Sequence, residues 1–363
     1  MSRVHVRILH LEPAEDVGPL TRVLVDARSA LAERHRAGFE SAGADDVRIV
    51  AGPPDDRGFG ALLRGIAAEA AAARAHGLVV LGSGAMPLAT ASDLRAFIDV
   101  AGGPAGRALA NNRYSGDVIA VSGTGALEAV PDGMTGDNAL PRWLAEEAGF
   151  TVDDLRARWQ LGVDLDSPQD IVLTTAGPGG GVAAGRESGL APELVERLAA
   201  RIGAVVALAG DSRAELLLHG RTSAATLAHL ERHAACRVRA LVEERGMRTA
   251  PAEQRPSRSV IGTALEVGGP GTLGTLLARF GDAAVVDTRV LLAHRLGRDE
   301  RRWPSAEDRF ASDLLLPERI RDPWLRALTA AAAAAKIPIL LGGHTLVGPG
   351  LRLLVGATDE SAS

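Results

Sequence analysis

The feature that most constrains this chain is the regular alternation, over its first half, of short apolar runs with longer helix-forming stretches. Val4–Leu11 reads as a strand, Leu20–Ala42 as a helix stopped by Gly43, and Asp46–Ala51 (DVRIVA) as a second strand. Gly58–Ala75 follows as a helix, Leu78–Leu81 (LVVL) as a strand, Thr90–Ala101 as a helix and Asp117–Ser122 (DVIAVS) as a further strand. Spacing of this kind predicts a mostly parallel sheet covered by helices on both faces. Thr90 or Ser92 is the expected N-cap of the third helix, with Asp93 favourable in its first turn.

A boundary is expected at Ala176–Pro192 (AGPGGGVAAGRESGLAP), where six glycines and two prolines exclude a stable helix or central strand. The triple glycine Gly179–Gly181 lacks the Lys-Ser/Thr pair of a phosphate loop, and Arg186 is the nearest cation. The predicted organisation is a first domain over 1–176, a Gly-rich linker over 177–192 and a second α/β domain over 193–363. In that second half Leu216–Leu218, Ala283–Val286 and Ile337–Leu341 read as strands. Ser223–Arg245 reads as one long helix ended by Gly246, and Val260–Phe280 as two helices split by Gly268–Gly271. Gly342–Thr345 reads as a turn between two apolar strands.

A chain of 363 residues is comfortable for two domains. Its aromatic content of 3% means that the cores are built from Ala, Leu and Val, and leaves no stacking platform for single-stranded nucleic acid. The net charge of −5 argues against a nucleic-acid partner. The single cysteine, Cys236, excludes an internal disulfide and is expected as a small buried side chain. No stretch reaches the length of a membrane span, and the N-terminus has charge inside its apolar run, so a cytoplasmic protein without a membrane partner is expected. The Ala- and Leu-rich helices leave room for a homodimer face.

Two segments carry a resemblance. Gly77–Leu94 reads GLVVLGSGAMPLATASDL, a buried strand, a turn and a helix start; Gly162–Val172 reads GVDLDSPQDIV, two carboxylates one residue apart before a Pro-led helix. Together they resemble the MobA-like nucleotidyltransferases, which include molybdopterin guanylyl- and cytidylyltransferases and phospholactate guanylyltransferase. There the segments read roughly LPADLPLLTPADL and DIDTPEDL. The resemblance covers about residues 45–175. It implies a nucleotide-diphospho-sugar-transferase-like fold and transfer of a nucleotidyl group from a nucleoside triphosphate to a phosphorylated small molecule. It also implies a Mg²⁺ ion on the nucleotide phosphates, held by one aspartate from each segment. Here the first aspartate falls at Ala85, flanked by Ser83 and Gly84. The family's N-terminal Gly-rich loop is replaced by His10–Glu12 and a stretch with Glu15 and Asp16, with Arg22 and Arg28 the nearest cations.

Mg²⁺ takes one or two carboxylates plus phosphate and water, and residues two apart on a strand share a face, so Asp164 and Asp166 are the candidate metal ligands. A second reading has Ser167 or Asp166 capping the helix that begins at Pro168. Ser83 and Gly84 offer backbone donors at a strand's C-terminal end, where ligands of open α/β sheets bind. Asn111, Asn112, Arg113 and Asp117 (NNRYSGD) form a polar cluster suited to a ribose, base or phosphate, or to an ordinary turn. Asp137 is expected to cap a following helix. In the second half, Arg221 and Ser223 lie where a strand runs into a helix N-terminus, a place that suits an anion. Asp287, Thr288, Arg289, His294, Asp308 and Asp313 gather in sequence near one strand end, as a polar pocket or as charged loop surface, and His344 is a candidate base; Arg239 and Glu243 are expected as an i,i+4 ion pair. Three readings follow: a nucleotidyltransferase, a degenerate domain that binds ligand without turnover, or a phospho-ligand enzyme whose site lies in the second half.

Overall fold

The computed structural model describes residues 3–13, 17–52, 58–134, 136–176, 189–243 and 256–356. The expected linker lies almost wholly outside the described residues, as do Glu15, Asp16, Gly179–Gly181, Arg186, Arg245 and Gly246. The described residues form an α/β, Rossmann-like fold with one mixed and one parallel sheet. It divides into two units, Met1–Asp16 with Val25–Leu165, and Val17–Leu24 with Asp166–Ser363. The division falls at Leu165/Asp166, ahead of the glycine-rich stretch. No helix among the described residues is long and apolar enough to cross a membrane.

The first unit holds a six-stranded sheet of β1 (Val4–Leu11), β2 (Asp46–Gly52), β3 (Gly77–Gly82), β4 (Arg107–Ala110), β5 (Val118–Ser122) and β6 (Thr151–Asp154), in the order β2-β1-β3-β5-β4-β6. β5 runs antiparallel to both its neighbours and the other pairings are parallel. The strands alternate between two cores, as a sheet buried on both faces requires. Val4, Val6, Ile8, Val79 and Leu81 pack with Phe39, Leu94 and Phe97 of the helices Pro19–Ser41 and Ala91–Ala101. Leu78, Val80, Ile119 and Val121 pack with Leu63, Ile66 and Ala70 of the helix Phe59–Ala72. Thr90 caps Ala91–Ala101 as expected, in a capping box with Asp93. β4 and β6, four residues each, were too short to read in the sequence.

The second unit holds a wholly parallel sheet of β7 (Glu215–Gly220), β8 (Arg237–Val242), β9 (Ala283–Asp287) and β10 (Ile339–Gly342), in the order β10-β9-β7-β8. Leu216–Leu218, Ala283–Val286 and Ile339–Leu341 are all buried, the continuous apolar pattern of strands covered on both sides. Three expectations need correction. The long helix stops at His233, and Arg237–Val242 is an edge strand paired to β7. Arg239 therefore meets Glu215 at 3.5 Å, while Glu243 accepts a hydrogen bond from the buried His219 at 2.8 Å. Cys236 is buried, but just ahead of this strand. After β10 the chain enters a helical stretch through Leu354 rather than another strand.

Candidate functional site

In the second sheet the chain reverses its direction of growth once, between β7 and β9, and in the first sheet the earliest reversal falls between β1 and β3. Loops leave such a point in opposite directions and open a crevice at the carboxyl ends of the strands. A cavity is found at both places.

The first, of about 390 Å³, is lined by Leu9 and Leu11 at the end of β1, by Gly82–Ala85 after β3, and by Phe59, Leu62 and Leu140. Its polar lining is Ser83, Arg28 and the carboxylates Asp117, Asp137 and Asp164. The two segments of the resemblance meet at this cavity. Ala85 and Asp164 form an isolated antiparallel bridge, completed by Leu165 N–H to Gly84 O at 3.0 Å and Met86 N–H to Val163 O at 3.2 Å. Arg28 Nε donates to Leu165 O at 2.7 Å. Met86, at φ 52, holds a left-handed conformation that a non-glycine residue keeps only when its surroundings impose it. His35 Nε2 donates to Ala85 O at 2.8 Å, and burial pushes its pKa down to about 4, so the ring is neutral. Ser83 Oγ and His10 Nδ1 share a hydrogen bond of 3.0 Å.

Of the expected ligand groups, Ser83, Gly84, Asp117 and Asp164 line this cavity, whereas Asn111, Asn112 and Arg113 are not part of its lining. Asn111 is buried and knits its own turn. Its amide oxygen accepts from Asp117 N–H and Val118 N–H, and its Nδ2 donates to Asp117 and to Leu161 O. Asn112 accepts from Tyr114 N–H, the turn chemistry that Asn supplies. Asp137 accepts from Asn138 N–H and also reaches the cavity.

The second cavity, of about 290 Å³, has an unusual polar lining: Asp166, Ser167, Asp170, Arg221, Arg289, Glu300, Arg309 and His344, with Gly343 and Phe310. Arg221 is clamped by Asp287, Nε to Oδ2 at 2.6 Å and Nη2 to Oδ1 at 3.2 Å. Asp287 is fully buried. Although burial opposes its charge, Arg221 holds its pKa below the usual carboxylate range. A Cβ on Gly220, at φ 126, would collide with Asp287, so this approach requires glycine. Arg289 pairs through both Nη atoms with Asp313, which is also fully buried; against the cost of burial, that carboxylate keeps the guanidinium firmly charged. Asp170 Oδ2 accepts from Asp166 N–H at 2.9 Å and Ser167 N–H at 2.7 Å at the start of the helix Pro168–Ala176. Burial, then the Asp166 and Asp313 charges, push Asp170 up to about 8.

Asp166 thus lines the second unit's cavity and Asp164 the first unit's. Ser223 caps the helix Ala224–His233, accepting from Thr226 N–H at 3.1 Å, and is not in either lining. Asp308 accepts from Arg321 and Asp322 N–H. Asp170, Glu300 and Arg309 were not expected at a site. Asp170, three residues after Ser167, carries the signature of a capping acid; nothing in the local sequence marks Arg309. Among the described residues no group of three or more His, Cys, Asp or Glu side chains is placed to hold a metal ion. No protein-family model matches the chain, and a search of curated proteins returns no match.

Proposed function

We propose that the first unit is a nucleotide-binding domain of nucleotidyltransferase-like kind, which takes a nucleotide or related phosphorylated small molecule as its magnesium complex. The observation that supports it is the Ala85–Asp164 bridge, which joins the two family-like segments at the rim of a switch-point cavity. The apolar walls of Leu9, Phe59 and Leu62 suit a base. Asp117 and Asp137 suit ribose hydroxyls as acceptors, and Ser83 suits a polar group of the ligand as donor.

The charge balance argues for the magnesium complex. Three carboxylates and one guanidinium line the cavity, so a bare polyphosphate would be repelled. A resident metal centre does not fit these residues, because the methyl of Ala85 stands where the family's first aspartate would be. An ion carried in on the phosphates needs only one or two protein carboxylates, and Asp164 is the candidate. Ala85 also favours a second reading, binding without nucleotidyl transfer.

Thermal-shift measurements with ATP, GTP, CTP and UTP, each with Mg²⁺ and with EDTA, test the proposal. Ligand at a hundred times its Kd stabilises by about 2.7 kcal/mol, which raises Tm by a few degrees. A shift with one nucleotide that EDTA abolishes is expected. A shift indifferent to EDTA supports the non-catalytic reading, and no shift with any nucleotide contradicts both.

A further inference from the structure

We propose that the second unit carries a separate phosphate site, built to hold the phosphomonoester group of a small metabolite in the cavity at the β7/β9 switch point. The donors are the guanidiniums of Arg221, Arg289 and Arg309 and the hydroxyl of Ser167. This site is independent of the nucleotide reading of the first unit.

Unspent hydrogen-bonding capacity carries the argument. Ser167 is 2% exposed, lines the cavity, and its Oγ has no hydrogen-bond partner. A buried hydroxyl left this way is costly unless a ligand or water completes it. Arg309 presents the same deficit, with Nε buried and unpartnered. Glu300 lies 3.4 Å from its Nη1, and the Asp313 charge also acts on it. Burial and the neighbouring Arg289 charge hold Arg309 below its usual pKa, the condition an added anion would relieve.

The other two guanidiniums are held in place from behind. Asp287 and Asp313, both fully buried, grip Arg221 and Arg289. Gly343 sits where both converge: a Cβ there would lie 3.6 Å from Arg289 Nε and 3.9 Å from Arg221 Nη2. The three arginines come from three separate elements, so their donors approach from several directions. That geometry suits a tetrahedral phosphate better than a planar carboxylate, which one guanidinium satisfies in a bidentate pair. Carboxylates also line the cavity, at Asp166, Asp170 and Glu300. Asp170 Oδ2 is already engaged by the Asp166 and Ser167 N–H groups, and burial pushes its pKa upward. Asp166 is exposed, placed to meet the organic body of the ligand rather than its phosphate.

The test is calorimetric titration of the full chain with inorganic phosphate, with EDTA present and no nucleotide, and with acetate in a parallel series. Saturable phosphate binding is expected in the wild type. Arg309→Gln should weaken it by about tenfold or more, the loss of one charge-assisted hydrogen bond. Ser167→Ala should weaken it severalfold, and Arg302→Gln, which removes the same charge outside the lining, should leave it unchanged. No saturable phosphate binding overturns the proposal. So does equal binding by wild type, Arg309→Gln and Ser167→Ala, and so does acetate binding as tightly as phosphate.

Discussion

Asp170 is the residue whose environment departs furthest from what its sequence position suggests. A capping carboxylate is ordinarily ionised, and the two N–H groups donated to Oδ2 favour that form. Complete burial and the Asp166 and Asp313 charges outweigh them and push the group up to about 8. Its folded pKa lies above the unfolded value of 3.8, so the folded state binds the extra proton. Its contribution to stability is therefore present below about pH 4 and is lost as pH rises through about 8. Asp287, held below the usual carboxylate range, acts in the opposite sense and loses its contribution on acidification. Comparing wild type with Asp170→Asn separates the two. The difference in unfolding free energy, measured by urea denaturation between pH 4 and pH 8, should move in favour of Asn as pH rises. An unchanged difference across that range would mean that Asp170 ionises normally.

Elements that pair across a sheet and elements that pair with themselves left different traces in the sequence. β3, β7, β9 and β10 were legible because a strand buried on both faces is a short, continuous apolar run, and β1 through its alternation of Val4, Val6 and Ile8 with His5 and Arg7. Arg237–Val242 was not, because Arg, Ala and Leu all favour helix and its partner β7 lies outside any local window. Its alternation of exposed Arg237 and Arg239 with half-buried Val238 and Ala240 was nonetheless a strand signal, and the charge suits an edge. The bridge of Gly84–Ala85 with Asp164–Leu165 is the element-scale feature on which the first cavity depends. A Cβ at Gly84 would fall 2.7 Å from Asp164 Oδ1 and 2.9 Å from Arg28 Nε. Gly84→Ala is expected to displace Asp164, cost about 1–3 kcal/mol by overpacking, and remove the nucleotide-induced thermal shift. A variant that keeps both stability and that shift would show that this contact does not shape the site.

Across the whole molecule, both units share one device, a cavity at a point where the growth of the sheet reverses, filled with opposite chemistry. The first cavity is apolar with an acidic rim and the second is crowded with guanidiniums. The first was partly legible, since the segments Gly77–Leu94 and Gly162–Val172 carry family-like motifs and Ser83, Gly84, Asp117 and Asp164 do line it. The second was legible only in fragments. Ser167, Arg221, Arg289 and Arg309 come together by folding, and no short spacing connects them. The polar cluster at Asn111–Arg113 misled for a physical reason, since the residues that could bind a ribose are the same ones that close a turn. The central claim is that the first cavity takes a magnesium–nucleotide complex through Asp164. Calorimetric titration of wild type and Asp164→Asn with the magnesium nucleotides tests it most directly. The account predicts saturable binding of one nucleotide, abolished by EDTA and weakened about tenfold or more in the variant. Binding of no nucleotide, or binding that neither EDTA nor Asp164→Asn disturbs, would contradict it.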